Sequence, residues 1–270
     1  MTADTVLPPS VPPRRTAPLV SIVTPTYNAE AYISATIASV GAQEFQDWEH
    51  IIVDDASSDE TVSVLHELSA GDPRIKVITL DQNSGAAVAR NAAIDAARGR
   101  FIAFLDADDL WLPQKLAVQV EYMLKTGAPF IYSSYNIIDE QGNHRGAVTV
   151  PERVTYSKIL RNNTIGCLTA VYDTEYFGKM QMPLIRKRQD LGLWLKLLKR
   201  VRHAHGLNES LAQYRIRPGS ISHNKASAAI FTWKLYRQVE KLPLLVAVYY
   251  FLSYAANGLI KSYLARKRHA

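Results

Sequence analysis

Residues 101–109 constrain the fold and the chemistry of this chain more than any other stretch. A run of five apolar residues ends in Asp106, Asp108 and Asp109. An apolar run of this length predicts a strand buried on both faces. Carboxylates grouped at its end repel one another, and a hard divalent cation, Mn²⁺ or Mg²⁺, is their simplest partner. The alternative is helix capping by these aspartates, with residues 110–113 opening a helix.

The same strand-then-polar pattern recurs through the first 112 residues. The predicted strands are residues 19–25, 49–55, 75–80 and 101–105, and the predicted helices are residues 29–40, a segment after residues 57–60, and residues 86–97. Alternation of this kind predicts an α/β fold with a mostly parallel, Rossmann-like sheet. Ligands of such sheets bind at the carboxyl ends of the strands. Asp54, Asp55 and Asp106 are predicted to lie there, beside turns at Asn28 and Gly85.

The first strand is not followed by a glycine-rich phosphate loop. Residues 25–30 contain no glycine, which excludes a dinucleotide fingerprint, and the chain has no Walker A motif. We therefore expect phosphates to be bound through a metal held by Asp106 and Asp108.

Four segments together resemble the inverting family 2 glycosyltransferases. They are residues 20–28, 51–59, 83–91 and 104–109. They occur in the order and spacing of that family and cover residues 19–112. The resemblance implies the GT-A fold and a first half that binds a nucleotide-diphosphate sugar, with UDP favoured over dTDP and GDP.

The resemblance also implies roles for individual residues on the base side of the nucleotide. Pro25 and Tyr27 would lie against the base, and Asp55 would accept from the uracil edge. Core packing is the alternative for Tyr27. The other predicted nucleotide-sugar residues on this side are Asn28, Asp54 and Gly85.

On the phosphate side, the resemblance places Arg90 near the nucleotide and Asp106 by the ribose, and Ala107 is a further predicted nucleotide-sugar residue. Asp108 would bind the metal that bridges the diphosphate. The alternative for Arg90 is a solvated arginine on the surface of its alanine-rich helix. The alanines of that helix most simply form a packing face.

The second half begins with less regular patterns. The predicted elements are a helix at residues 112–125, strands at 130–138, 147–150 and 168–172, and a hairpin turn at 140–143. Residues 188–198 form an amphipathic helix with Asp190 at its start. The family typically has Glu-Asp at this point, and here the pair is Gln189 and Asp190. The resemblance implies that Asp190 is the general base, while stabilisation of the helix dipole is the alternative.

Basic residues cluster in residues 214–223. We expect a loop in which Arg215 and Arg217, together with Arg188, bind the diphosphate or the acceptor, and in which His223 completes the metal shell. A solvated basic loop is the alternative. Residues 188–222 are similar to bacterial glycosyltransferases of the teichuronic-acid, O-antigen and capsule type, which implies a lipid-diphosphate-linked saccharide as the acceptor.

The C-terminal segment combines apolar and basic residues. Residues 242–260 carry no charge, and a basic stretch follows to residue 268. Aromatic and basic residues predict an interfacial helix, so residues 242–268 would contact the inner face of the cell membrane. Packing on the catalytic domain or on a second copy, as in a homodimer, is the alternative.

Composition limits the cellular compartment and the kinds of partner expected for this chain. One cysteine, Cys167, and a net charge of +6 suit a cytoplasmic protein at an anionic surface, and no nucleic-acid motif is present. The predicted organisation is a disordered lead-in at residues 1–17, a catalytic domain at 18–220 divided after residue 112, and C-terminal helices at 221–270. Three other functions are considered: a sugar nucleotidyltransferase, a membrane scaffold, and an inactive sugar-nucleotide or glycan-binding module. A sugar nucleotidyltransferase would need a glycine-rich loop after the first strand.

Overall fold

The computed structural model describes residues 17–217 and 225–267, with side chains described at residues 17–217 and 227–258. Residues 1–16 of the predicted lead-in lie outside the described residues. The strands are β1 Val20–Thr26, β2 Trp48–Asp54, β3 Ile75–Thr79, β4 Phe101–Phe104, β5 Leu110–Trp111, β6 Phe130–Ile138, β7 His144–Val148, β8 Arg153–Val154, β9 Val171–Asp173 and β10 Ala204–Arg215. The helices are α1 Ile33–Gly41, α2 Thr61–Ala70, α3 Ala86–Ala96, α4 Lys115–Thr126, α5 Tyr156–Arg161, α6 Thr174–Phe177, α7 Gln189–Leu198, α8 Lys225–Lys234 and α9 Leu244–Lys267.

The described strands form one mixed sheet in the order β3-β2-β1-β4-β9-β6-β10-β5, with β7 on β6 and β8 on β10. The first four strands in this order are parallel to their neighbours. β9 runs antiparallel between β4 and β6, and β10 is parallel to β6. β4, β6 and β10 therefore all end at the same edge as β1 and β2. The predicted α/β class and the parallel first half are confirmed.

β4 shows why these runs become strands. Its side chains alternate between the two faces of the sheet. Ile102 and Phe104 join the core with α3, while Phe101 and Ala103 join a second core with Leu116 of α4. Each face is covered by helices, so every residue of β4 is buried. A continuous apolar run is the sequence signature of such a strand.

Three local predictions are wrong. Residues 168–172 do not form one strand, because Cys167–Thr169 is a 3₁₀ turn before β9. Residues 110–113 open no helix, since β5 pairs with β10 there. Tyr214 and Arg215 end β10 rather than lying in a loop. In each case a long-range strand pairing determines the structure where the local pattern is weak.

The C-terminal helix has one packed face and one exposed face. Ala247 is buried in the main core, and Tyr250 and Phe251 pack against it. Leu245 and Leu252 on the other face are 84% and 63% exposed. None of the helices in the described part of the chain meets the length and hydropathy needed to cross a bilayer.

Candidate donor and catalytic site

Two aspartates at the end of β2 organise the turns around them. Asp54 is fully buried, and its carboxylate accepts from the main-chain N–H and the hydroxyl of Ser57 at 2.9 and 2.5 Å. Asp55 accepts from the N–H groups of Ser84 and Gly85, each at 2.7 Å. Gly85 has a φ of 92°, which is why glycine suits the entry to α3. Asp55 keeps further lone pairs with which it can accept from a ligand.

The turn after β1 presents an exposed aromatic ring. Pro25 is buried within β1, whereas Tyr27 is 48% exposed, so core packing of Tyr27 is wrong. Asn28 adopts a φ of 47° and accepts at 2.9 Å from the N–H of Ser58. Tyr27 therefore stands on a fixed turn at the edge where the parallel strands end.

Arg90 links α3 to the end of β4. It is 8% exposed, so a solvated surface arginine is wrong. Its Nη2 lies 2.5 Å from Asp106 Oδ1. Burial alone would lower the pKa of Arg90, but the charges of Asp106 and Asp190 contribute to a net increase. Arg90 therefore stands within the electrostatic field of a carboxylate in the loop after β4 and of one on α7.

Asp108 lies in the same loop as Asp106. Its Oδ2 accepts a 2.7 Å hydrogen bond from Arg217 Nε. Burial, followed by the charge of Asp106, raises the pKa of Asp108 even though Arg217 opposes this shift. The loop is anchored from α1, where Thr36 Oγ1 lies 2.9 Å from the carbonyl oxygens of Ala107 and Asp109. No helix starts at these aspartates, so the capping alternative is wrong.

Arg215 contacts the protein rather than open solvent. It is 6% exposed, and its guanidinium donates to the carbonyl oxygens of Asp108, Asp139 and Glu140 at 2.9 to 3.1 Å. Its main-chain N–H donates to Asp109 Oδ1. These contacts brace the aspartate loop against the end of β6. The solvated-loop alternative is therefore wrong at this residue, while the contact of Arg215 with the diphosphate or the acceptor stays a prediction.

Asp190 lies in the first turn of α7, and the chain enters that helix through a residue with a left-handed backbone conformation. Arg188 is the N-cap, with a φ of 67°. Its Nη2 donates to the hydroxyl of Tyr254 on α9, and its guanidinium carbon lies 5.5 Å from the centre of that ring. Arg188 thus connects the start of α7 to the C-terminal helix. His223, the other predicted metal ligand, lies outside the described residues.

The sequence has clear relatives. A profile of glycosyl transferase family 2 matches residues 21–184. The TuaG protein of Bacillus subtilis, a putative teichuronic acid biosynthesis glycosyltransferase, is 46% identical over 90% of this chain and 97% of its own. The chain belongs to glycosyl transferase family 2. The Escherichia coli protein WfgD, a UDP-Glc:α-D-GlcNAc-diphosphoundecaprenol β-1,3-glucosyltransferase, is 41% identical over 90% of this family 2 chain and 94% of its own.

Solved structures agree with the fold of this family 2 glycosyltransferase. S. aureus TarS in complex with UDP-GlcNAc superposes with a TM-score of 0.68 at 20% identity, covering 87% of this chain and 71% of TarS. The mannosyltransferase PcManGT of Pyrobaculum calidifontis, in complex with GDP-Man and Mn²⁺, gives 0.65 at 18% identity, covering 89% and 74%. The predicted GT-A fold is confirmed.

The aspartate loop of this family 2 chain fits a divalent ion. Asp106 and Asp108 offer the oxygen ligands that Mn²⁺ and Mg²⁺ prefer. Burial and the charge of Asp106 raise the pKa of Asp108, and a cation bound beside it would favour its ionised form. Within residues 17–217 and 227–258, no group of three or more candidate side chains forms a complete metal cage. Mg²⁺ is commonly bound by one or two carboxylates together with substrate phosphates and water, so Asp106 and Asp108 are enough to hold it beside a diphosphate.

Sequence reasoning missed one residue at this site. Cys167 was considered only for its redox environment, yet its thiol lies within the electrostatic influence of Asp106, Arg90 and Asp190. Burial, followed by the charge of Asp106, raises the pKa of Cys167. A neutral thiol is thus placed near the two candidate carboxylates. Cys167 reaches this position because it begins the 3₁₀ turn that replaces the first part of the predicted strand.

Proposed function

We propose that this protein is a metal-dependent inverting glycosyltransferase. It moves a sugar from a UDP-sugar to a hydroxyl of a saccharide linked through a diphosphate to a lipid, in bacterial surface polysaccharide synthesis. The observation that carries the proposal is the ion pair of buried Arg90 with Asp106 after β4, near enough to Asp190 that the charge of Asp190 also raises the pKa of Arg90. The donor and acceptor classes are those in the name of WfgD.

Donor binding uses the edge formed by β1, β2 and β4. The exposed ring of Tyr27 stacks on the base beside Pro25, and Asp55 accepts from the uracil N–H with a remaining lone pair. Asp106 faces the ribose. Asp108 would hold Mn²⁺ or Mg²⁺, which would supply positive charge to the departing diphosphate.

Asp190 performs the proton transfer. Its carboxylate takes the proton of the acceptor hydroxyl, whose oxygen attacks the anomeric carbon from the face opposite the nucleotide. The bond to the diphosphate breaks as the new bond forms, so an α-linked donor gives a β-glycoside. A positioned base contributes about 10²–10⁴ in rate. No general acid is required, because the diphosphate leaves as an anion.

Product stereochemistry tests this mechanism. The purified protein is incubated with an α-linked UDP-sugar and a GlcNAc-diphospho-lipid, with Mn²⁺ or with chelator, and the anomeric configuration of the product is read by NMR. We expect a β-linked product that forms only with the metal. An α-linked product, or full turnover in chelator, would contradict the proposal.

Localisation follows from the exposed face of α9. We propose that this face lies on the cytoplasmic leaflet of the cell membrane, where a lipid-linked acceptor is presented. Leu245 and Leu252 are exposed there, and the sequence continues with Lys261, Arg266 and Lys267. Anionic lipid attracts such basic residues while the apolar side chains insert.

Vesicle sedimentation tests the membrane contact. The Leu245→Glu protein should lose binding to anionic vesicles that the parent retains. Leu124→Glu is the matched control, since Leu124 is also exposed, at 53%, but lies on α4. Equal binding by the two variants would argue against the α9 surface.

A further inference from the structure

A basic cleft lies beside the start of α7. It has a volume of about 390 Å³ and is lined by Arg186, Lys187, Ser227 and Phe231. The first two residues belong to the segment before α7, and the other two belong to α8. None of the described residues that line the cleft is acidic. The cleft therefore combines two positive charges with one aromatic ring, a combination suited to an anion attached to an apolar group.

Two exposed apolar residues lie close in sequence to residues that line this cleft. Leu184, two residues before Arg186, is 72% exposed, and Ile230, next to Phe231, is 57% exposed. Large exposed apolar side chains on the same two chain segments as the basic residues and Phe231 suit an amphiphilic ligand.

The chain connects this cleft directly to the candidate base. Arg186 and Asp190 are four residues apart, so their Cα atoms are at most about 14 Å apart. The segment is held closely on α7, since a Cβ at Gly192 would lie 2.4 Å from Pro183 Cγ. A ligand whose anionic group is bound at Arg186 can therefore place an attached sugar near Asp190.

We propose that this cleft binds the diphosphate and the first isoprene units of a polyprenyl-diphosphate-linked acceptor. The inference rests on the proposed function, because it places the acceptor sugar at Asp190. Arg186 and Lys187 contact the diphosphate by charge-assisted hydrogen bonds. Phe231, Leu184 and Ile230 contact the isoprenoid. The site is separate from the metal site at Asp108, so donor and acceptor diphosphates are bound by different cations.

Calorimetry with farnesyl diphosphate tests the cleft. The full chain should bind this probe more tightly than inorganic pyrophosphate or farnesol, because the site reads both the charge and the isoprenoid. The double variant Arg186→Gln, Lys187→Gln should bind it at least about tenfold more weakly, as expected for the loss of charge-assisted bonds. Its affinity for UDP with Mn²⁺ should be unchanged. In turnover assays the KM for the lipid acceptor should rise while the KM for the donor stays constant.

A matched control removes two charges elsewhere. Lys125→Gln, Arg202→Gln loses the same net charge at two exposed positions, which lie near the start of β6 and β10 at the opposite edge of the sheet. Equal weakening in this control would overturn the proposal, as would pyrophosphate binding as tightly as farnesyl diphosphate. Competition between UDP and farnesyl diphosphate would place the probe in the donor site and overturn it too.

The two proposals fail in different ways. Loss of UDP binding in the parent protein, with farnesyl diphosphate binding still sensitive to Arg186 and Lys187, would refute the donor assignment and leave the cleft intact. UDP binding and turnover with no effect of the double variant would refute the cleft alone.

Discussion

The donor edge and the candidate base are held in place by different means. Asp54 and Asp55 end a fully buried strand, and nearby main-chain N–H groups bind both carboxylates. Asp190 instead follows Arg188, whose φ of 67° is costly for a residue with a side chain. The hydrogen bond from Arg188 to Tyr254 on α9 holds that segment. The sheet thus positions the donor site, whereas distant helices position the base.

Replacing Asp190 should give the largest effect. Asp190→Asn keeps the shape and removes the proton acceptor, so kcat should fall by about 10²–10⁴. Affinity for UDP, measured by calorimetry, should stay constant because the donor edge is untouched. An Asn variant with near-normal kcat would refute the assignment of Asp190 as the base.

Arg90 joins the two regions, and its loss should affect both. Arg90→Leu leaves Asp106 without its partner. We expect a decrease of about 2 kcal/mol in the free energy of unfolding, less than for a fully buried pair because Asp106 is 30% exposed. Urea denaturation measures this change.

A surface ion pair supplies the control for Arg90. Arg145 pairs with Asp139 at 2.7 Å but is 62% exposed. Arg145→Gln should cost less than about 1 kcal/mol. Equal costs for the two variants would mean that Arg90 makes no special contribution.

Tyr254 tests whether α9 helps to position the base. Tyr254→Phe removes the hydroxyl that accepts from Arg188, a bond to a charged group worth about 1.5–3 kcal/mol. We expect kcat to fall up to about tenfold with little change in UDP affinity. Tyr249→Phe makes the same change on the exposed face of α9 and should leave kcat unchanged. A fall in both variants would indicate a general effect of the helix.

The smallest effect on stability is expected at Asp108, where removing the charge should raise Tm in a pH-dependent way. Burial and the charge of Asp106 raise its pKa in the folded chain, so its carboxylate opposes folding at high pH. The penalty disappears as the pH falls below the unfolded value, about 3.9. Asp108→Asn should therefore raise Tm at pH 8, and the gain should shrink towards pH 4.5.

Asp59 is the control for Asp108, because its pKa is shifted in the opposite direction. Burial alone would raise the pKa of Asp59, but hydrogen bonds from Thr61 and Glu30 lower it. Its carboxylate stabilises the fold above the unfolded pKa, and that contribution is lost as the pH falls. Asp59→Asn should therefore lower Tm at pH 8. A lower Tm for both variants at pH 8 would contradict the account of Asp108.

The donor half could be predicted closely from the sequence, and the second half could not. Buried parallel strands are continuous apolar runs, so β1 to β4 were found within one or two residues. β10 was missed because residues 204–215 lack a β-branched run and contain glycine, asparagine and glutamate. Its place is decided by pairing with β6, far away in the sequence.

In the site, too, some residues could be placed from local motifs and others could not. Motifs placed Asp55 and Asp106 at the correct edge, yet nothing local predicts that Arg217 contacts Asp108, 109 residues away. The packing of Arg215 and the approach of Cys167 also depend on long-range contacts. The roles assigned to the site residues remain predictions until the variants are measured.

Calorimetric titration of UDP tests the central claim most directly. The parent and Asp190→Asn proteins should bind UDP with Mn²⁺ and lose most of that affinity in chelator, whereas Asp108→Asn should bind weakly in both. This pattern would show that the donor edge works independently of the base. A UDP affinity that is unchanged both by chelator and by Asp108→Asn would contradict the account.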